Sequence, residues 1–171
     1  MGYSLWLKDK RGNICQGKEN RYNLGNMLAI GGTKEMSFNI TYNYSHYYYE
    51  VEGFEDNGIR EIYGLTGKES LPLLEKLKSS IEKKYRRNGK WITTKRIKKF
   101  PYSKVTGEKI SERQLVFEIH NSDLDWREEE IEVNEGDVTD YWQATAKNAS
   151  NAIQSLIEMA KECPDGVWNG D

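Results

Sequence analysis

Between Met36 and Tyr44 apolar and polar side chains alternate strictly: Met36, Phe38, Ile40, Tyr42 and Tyr44 on one side, Ser37, Asn39, Thr41 and Asn43 on the other. A period of two belongs to a half-buried strand. Tyr47-Tyr48-Tyr49-Glu50-Val51 reads as its neighbour, turned at Ser45-His46. Consecutive tyrosines cannot all face one core, so at least one of Tyr47, Tyr48 and Tyr49 should point outward. Residues 2–8 form a short strand closed by turn chemistry at Asp9-Lys10-Arg11-Gly12-Asn13. Leu24, Met27, Leu28 and Ile30 make an apolar patch, helical turn or loop, in a glycine-punctuated stretch.

The period changes to three and four in 69–88, where Leu71, Leu74, Leu77, Ile81 and Tyr85 predict a helix. Pro72 has no backbone donor and belongs in a first turn, which puts the start near Ser70, while Thr66 and Glu69 offer a rival capping box slightly earlier. Asn88-Gly89 supplies a left-handed cap at its end. A second helix spans about 146–162, capped by Thr145, striped by Ala149, Ala152, Ile153, Leu156, Ile157 and Ala160, and stopped by Pro164. Between the helices lie three strand-like runs, 91–97, 114–120 and 128–133. The fold class these elements define is α+β: an antiparallel sheet, two main helices on one face, and a charged β-rich insertion between them.

Charge is sorted far more sharply than the net value of −2 suggests. Residues 76–113 hold fourteen Lys/Arg against three Asp/Glu, and residues 114–171 hold three against fourteen. One account is internal: a basic strand antiparallel to an acidic one gains about 0.2–1 kcal/mol per cross-strand pair. The other is an interaction surface. Lys95, Arg96, Lys98 and Lys99, flanked by Trp91, Phe100 and Tyr102, have the composition of single-strand nucleic-acid sites. The acidic half and a pI near 5.8 oppose a long polyanion.

The N-terminus lacks the apolar run of a signal peptide and no stretch has the length of a membrane span. The reading is therefore a cytoplasmic protein without membrane contact, with Cys15 and Cys163 kept as packing thiols. Composition sets a single domain over residues 1–171.

Two blocks carry a resemblance. The first is Ile40-Thr41-Tyr42-Asn43-Tyr44-Ser45 with Gly58-Ile59-Arg60 and Tyr63-Gly64-Leu65-Thr66-Gly67. The second is Asp140-Tyr141-Trp142-Gln143-Ala144-Thr145 with Asn148-Ala149 and Pro164-Asp165-Gly166-Val167-Trp168-Asn169-Gly170-Asp171. Together they resemble a family of small uncharacterised proteins encoded by phages and prophages. The blocks cover somewhat under half of the chain and are silent about activity. Compact members of that family run from the first helix almost directly to the Asp-Tyr-Trp block, so the resemblance implies that residues 84–137 are an inserted subdomain. A phage origin favours host-directed roles, including inhibition of a defence system.

Catalytic chemistry finds little support. Gly64-Leu65-Thr66-Gly67-Lys68-Glu69-Ser70 lacks the first glycine of a phosphate loop, since position 62 is Ile, and Glu69 replaces the metal-binding hydroxyl. His46 and His120 have no neighbouring Cys or His for a metal, and the acidic clusters lack the spaced loop that calcium favours. No cofactor is implied. The tyrosines of 42–49, mixed with Asn43, Ser45 and His46, have the composition of adaptable recognition surfaces. Arg60 and Asp140 are candidates for a pair under Trp142.

The function this composes is a non-enzymatic phage-type binding or inhibitor protein acting on a host protein. Its candidate protein- or ligand-binding residues are Asn43, Tyr44, His46, Tyr48, Arg60, Asp140, Tyr141 and Trp142. Two alternatives stand beside it: an RNA- or DNA-binding module using 76–113, and a small-molecule or nucleotide binder near Tyr44, Arg60 and Trp142. Self-association into a homo-oligomer is compatible with all three.

Overall fold

The computed structural model describes residues 2–23, 28–30, 32–111, 115 and 123–171. The chain divides into two compact units, residues 1–92 with 135–171, and residues 93–134. The strand expected over 114–120, and Leu24 and Met27 of the apolar patch, lie outside the described residues, apart from Leu115.

The first unit is built on a three-stranded antiparallel sheet of order β10-β1-β5, with β1 Gly2–Lys8, β5 Ser37–Thr41 and β10 Val167–Gly170. Alternation in β1 sends Tyr3, Leu5 and Leu7 into the core, where they join Phe38, Ile40 and Trp168. A smaller sheet pairs β2 Gln16–Asn23 with β3 Leu28–Ile30 and β4 Thr33–Glu35.

The strand expected to run to Tyr44 stops at Thr41. The Thr41 hydroxyl accepts from the Asn43 amide, which starts a 3-10 turn at Tyr42–Tyr44 that continues into α1, Ser45–Tyr49. The expected hairpin is therefore a helical corner. Tyr44, Tyr47, Tyr48 and Val51, spaced i, i+3, i+4 and i+7, are the buried residues, a helical stripe that the strand-like alternation before it had masked. Tyr44 and Tyr48 thus fill the core and offer no exposed binding surface.

Helix α2, Gly67–Tyr85, begins at the Thr66–Glu69 capping box, with the Glu69 amide 3.2 Å from Thr66 Oγ1 and the Thr66 amide 2.9 Å from the Glu69 carboxylate. Pro72 consequently lies inside the helix, past its first turn, because the reciprocal cap fixes the start earlier than the proline alone would. Asn88 and Gly89, both at positive φ (51° and 75°), do not cap α2. They form the two-residue turn of a hairpin between β6 Arg86–Arg87 and β7 Lys90–Trp91. Helix α3, Ala146–Glu162, is capped by Thr145 and packs its alanine-rich stripe against Leu74, Leu77 and Ile81 of α2. Gly67 sits where a methyl group would lie 2.5 Å from the Cys163 carbonyl oxygen and 2.8 Å from that of Ala160. Both main helices bury their stripes in the core shared with the sheet, as the α+β class expected.

The second unit is a two-stranded antiparallel ribbon, β8 Thr93–Ser103 and β9 Leu124–Asn134. Its register sets Lys95 opposite Glu132, Lys98 opposite Glu129 and Lys99 opposite Glu128. Lys95 Nζ reaches Glu130 at 2.7 Å, Lys99 Nζ reaches Glu128 at 3.5 Å, and Lys109 Nζ reaches Glu129 at 2.8 Å. The basic run 95–99 and the acidic run 128–132 therefore face each other across one ribbon. Residues 84–92 and 135–137, within the stretch that the resemblance sets apart, belong to the first unit.

Among the described residues no helix is long and apolar enough to cross a membrane, and no group of three or more His, Cys, Asp or Glu is arranged to hold a metal ion.

Candidate recognition surface

Among the described residues of the first unit, four large apolar side chains are exposed: Tyr42 (38%), Val138 (40%), Tyr141 (37%) and Trp142 (49%). Three of them fall within five residues of sequence, in the loop that leads into α3. This loop is clamped by side chains of the helical corner. Asn43 Nδ2 donates to the Trp142 carbonyl at 2.7 Å, Tyr47 Oη to the Ala144 carbonyl at 2.7 Å, and Tyr44 Oη to the Tyr141 carbonyl. With those carbonyls drawn toward the corner, the loop is held while its rings stay exposed. Tyr141 and Trp142 lie against each other at 4.9 Å between centroids.

The loop also caps itself. Asp140 Oδ1 accepts from the Trp142 amide at 2.9 Å, and Asp137 Oδ1 from the amide and hydroxyl of Thr139. Those Thr139 donors hold the Asp137 carboxyl below its ordinary pKa. Asn148, buried in α3, donates through Nδ2 to the carbonyls of Asp140 and Gln143 at 2.9 and 3.1 Å. Thr145 caps α3 with the same hydroxyl that donates to the Asp137 carbonyl at 2.6 Å. Underneath, the fully buried Glu135 lies 2.5 Å from Tyr47 Oη, whose single proton it shares with the Ala144 carbonyl, and accepts from the Ala146 amide at 2.8 Å. A carboxylate at a helix N-terminus satisfies an otherwise orphaned donor and complements the helix dipole. Burial raises the Tyr44 hydroxyl far above its ordinary pKa, with the Asp140 charge adding to it, so it stays a donor throughout the accessible pH range.

Arg60 plays a different part from the expected one. It does not pair with Asp140 beneath Trp142. Its guanidinium lies 4.8 Å from the centre of the Tyr3 ring, with Nε and Nη2 each 3.4 Å from the Asp171 carbonyl oxygen and Nη1 3.4 Å from Tyr49 Oη. The Asp171 carboxylate in turn accepts from the Ser4 amide at 2.8 Å. Arg60 therefore ties the 3-10 turn Gly58–Ile62 to the sheet edge. Tyr42 meets the same Tyr3 ring edge-on at 4.6 Å and 89°. Cavities seen beside Cys15, in the ribbon and beside Met159 are lined by residues other than Arg60, Asp140 and Trp142.

Of the residues expected to bind, the structure brings Asn43, Asp140, Tyr141 and Trp142 together at one surface, buries Tyr44 and Tyr48 beneath it as supports, and leaves His46 half-buried against Tyr47 at 3.9 Å. His120 is outside the described residues. Tyr42 as an exposed anchor, Val138, and the supports Glu135 and Asn148 were missed. An acidic residue eleven positions before a helix start carries no local signal, whereas the Thr145 cap did mark the start of α3.

Comparison of the chain with models of protein families, with curated proteins and with solved structures finds no match.

Proposed function

We propose that this chain is a non-enzymatic binding protein of the phage inhibitor type, which engages a host protein through the surface formed by Tyr42, Asn43, Val138, Tyr141 and Trp142. The observation that carries this reading is the rigid presentation of exposed aromatic side chains by a loop whose backbone is satisfied on its inner side. Solvated rings on a preorganised loop lose little conformational entropy on docking, and Tyr and Trp dominate interface hot spots. Inhibition then requires only that the partner's surface be covered. The resemblance of the 40–45 and 140–145 blocks to phage and prophage proteins agrees with it, because Tyr42, Asn43, Tyr141 and Trp142 fall within those blocks, Val138 lying just outside. A phage protein of this kind acts in the cytoplasm of its host.

The nucleic-acid reading has less support: Lys95 and Lys99 already meet glutamates of the neighbouring strand, and a strand of carboxylates repels phosphates. Capture from host lysate with wild-type chain and with the doubly substituted Tyr141→Ser/Trp142→Ala chain, each with and without nuclease, tests the proposal. It requires a protein retained by wild type in both nuclease conditions and lost with the double variant. Retention that nuclease abolishes, or that the double variant preserves, rejects it.

A further inference from the structure

The two cysteines, at opposite ends of the chain, meet in space. Cys15 is fixed by its backbone, its amide donating to the Leu7 carbonyl and its carbonyl accepting from the Met36 amide, both at 2.8 Å. Cys163 ends α3, its amide bonded to the Met159 carbonyl at 2.9 Å. The turn that follows is pinned by α2, whose Gly67 and Lys68 amides donate to the Gly166 and Pro164 carbonyls at 2.8 and 2.9 Å. Gly166 wedges between the two: a methyl group there would lie 2.7 Å from Cys15 Sγ and 3.4 Å from the Cys163 carbonyl oxygen. The Cys163 thiol donates, at 3.9 Å, to the carbonyl of Gln16, the residue that follows Cys15. Both cysteines are half-buried, and both line an open cavity of about 380 Å3 whose charged residues, Asp9, Lys10, Arg11 and Asp165, balance.

We infer that Cys15 and Cys163 are an oxidation site, forming an intramolecular disulfide when a small-molecule disulfide of the glutathione type enters this cavity. Both cysteines stand on hydrogen-bonded backbone at the wall of one cavity, and the bridge brings their sulfurs to about 2.05 Å. In the first step the thiolate of one cysteine attacks the reagent, expelling one small thiolate and leaving a mixed disulfide. In the second, the other cysteine's thiolate attacks the protein sulfur of that adduct and expels the second. Two protein thiols give up two protons and two electrons, and the reagent leaves as two thiols. Burial, then the neighbouring sulfur, pushes the Cys163 thiol up to about 12, and burial also raises Cys15. The first attack therefore falls to Cys15, and the reaction quickens with pH. The bridge would tie the start of the second sheet to the end of α3, closing a loop of nearly the whole chain.

The test incubates the folded wild-type chain with oxidised glutathione across pH 7–9, alongside Cys15→Ser and Cys163→Ser, and follows free thiols, intact mass and melting temperature. The inference expects both thiols to disappear together, a monomer lighter by two hydrogens, faster reaction at higher pH, and a melting point raised by roughly 5–15 °C, as closure of so long a loop implies. Cys163→Ser should stop at a single glutathione adduct. Thiols that stay free in the folded chain, a stable adduct on wild type, a covalent dimer, or a bridge that leaves the melting point unchanged or lower would each overturn it.

Discussion

Glu135 is the most informative residue to perturb, because it is fully buried, carries a carboxylate and supports the recognition surface from beneath. Replacing it with Ala removes the acceptor of the Ala146 amide at the first position of α3 and of the Tyr47 hydroxyl. Tyr47 keeps the Ala144 carbonyl, but the buried Ala146 donor is stranded. Hydrogen bonds to a charged group contribute about 1.5–3 kcal/mol each and a stranded buried donor costs about 1–3 kcal/mol. Against this stands relief of a buried carboxylate's desolvation, which offsets part of the loss. The net expectation is a destabilisation of about 3 kcal/mol for Glu135→Ala. Glu135→Gln keeps the shape and one acceptor, and should cost about 1 kcal/mol. Urea unfolding followed by tryptophan fluorescence measures both. With a slope of about 2 kcal/mol per molar urea, the alanine variant should unfold near 1.5 M less denaturant at unchanged slope. A midpoint shift under about 0.3 M for Glu135→Ala would refute the claim that this carboxylate anchors the loop and helix.

Gly67→Ala should destabilise by about 1–3 kcal/mol in the same assay although Ala is the better helix former, since its methyl group would meet two backbone oxygens of α3 and its following turn that cannot move aside. Partial burial raises the Glu82 carboxyl, but hydrogen bonds from Lys78 Nζ and Ser150 Oγ outweigh it and hold the group below its ordinary 4.5. A lowered folded pKa gives stability that is present above that value and lost as pH falls through it. Glu82→Gln should therefore flatten the loss of stability below about pH 4.5 and lower stability at pH 7, read by thermal melts across pH. In the ribbon, Lys95→Glu with Lys99→Glu should lower ribbon stability by about 0–1 kcal/mol per broken pair, because both pairs are largely solvated, and adding Glu128→Lys with Glu130→Lys should restore it. Amide exchange of β8 and β9 checks this, and the absence of rescue would separate the charges from ribbon stability.

The sequence was readable where one period dominated. The stripes of α2 and α3 and the alternation of β1 each matched a single geometry, and the Thr145 cap fixed the start of α3, whereas Pro72 drew the start of α2 toward Ser70 until the rival Thr66–Glu69 box proved to hold it. The corner at 41–49 was misread because two periods overlap there. Alternation through Tyr42 and Tyr44 favours a strand, while Tyr44, Tyr47, Tyr48 and Val51 favour a helix, and the Thr41 hydroxyl decides between them locally. Asn88-Gly89 suited a helix cap or a hairpin turn equally. The short strands on either side chose the hairpin. Cross-strand charge pairing was legible because opposite runs of Lys and Glu carry their own complement. Glu135 and Arg60 were not legible in their roles, since each acts on partners distant in sequence: Tyr47 and Ala146 for one, Tyr3 and Asp171 for the other.

The central claim is that Tyr42, Tyr141 and Trp142 form the binding anchor while the fold stands without them. Titration calorimetry of the captured partner against wild type, Tyr42→Ala and Trp142→Ala, with the melting point of each variant recorded beside it, tests this most directly. The account predicts a loss of affinity of about ten- to thirtyfold or more for Trp142→Ala, and a smaller loss for Tyr42→Ala, each with a melting point within a few degrees of wild type. Wild-type affinity in both variants would contradict it.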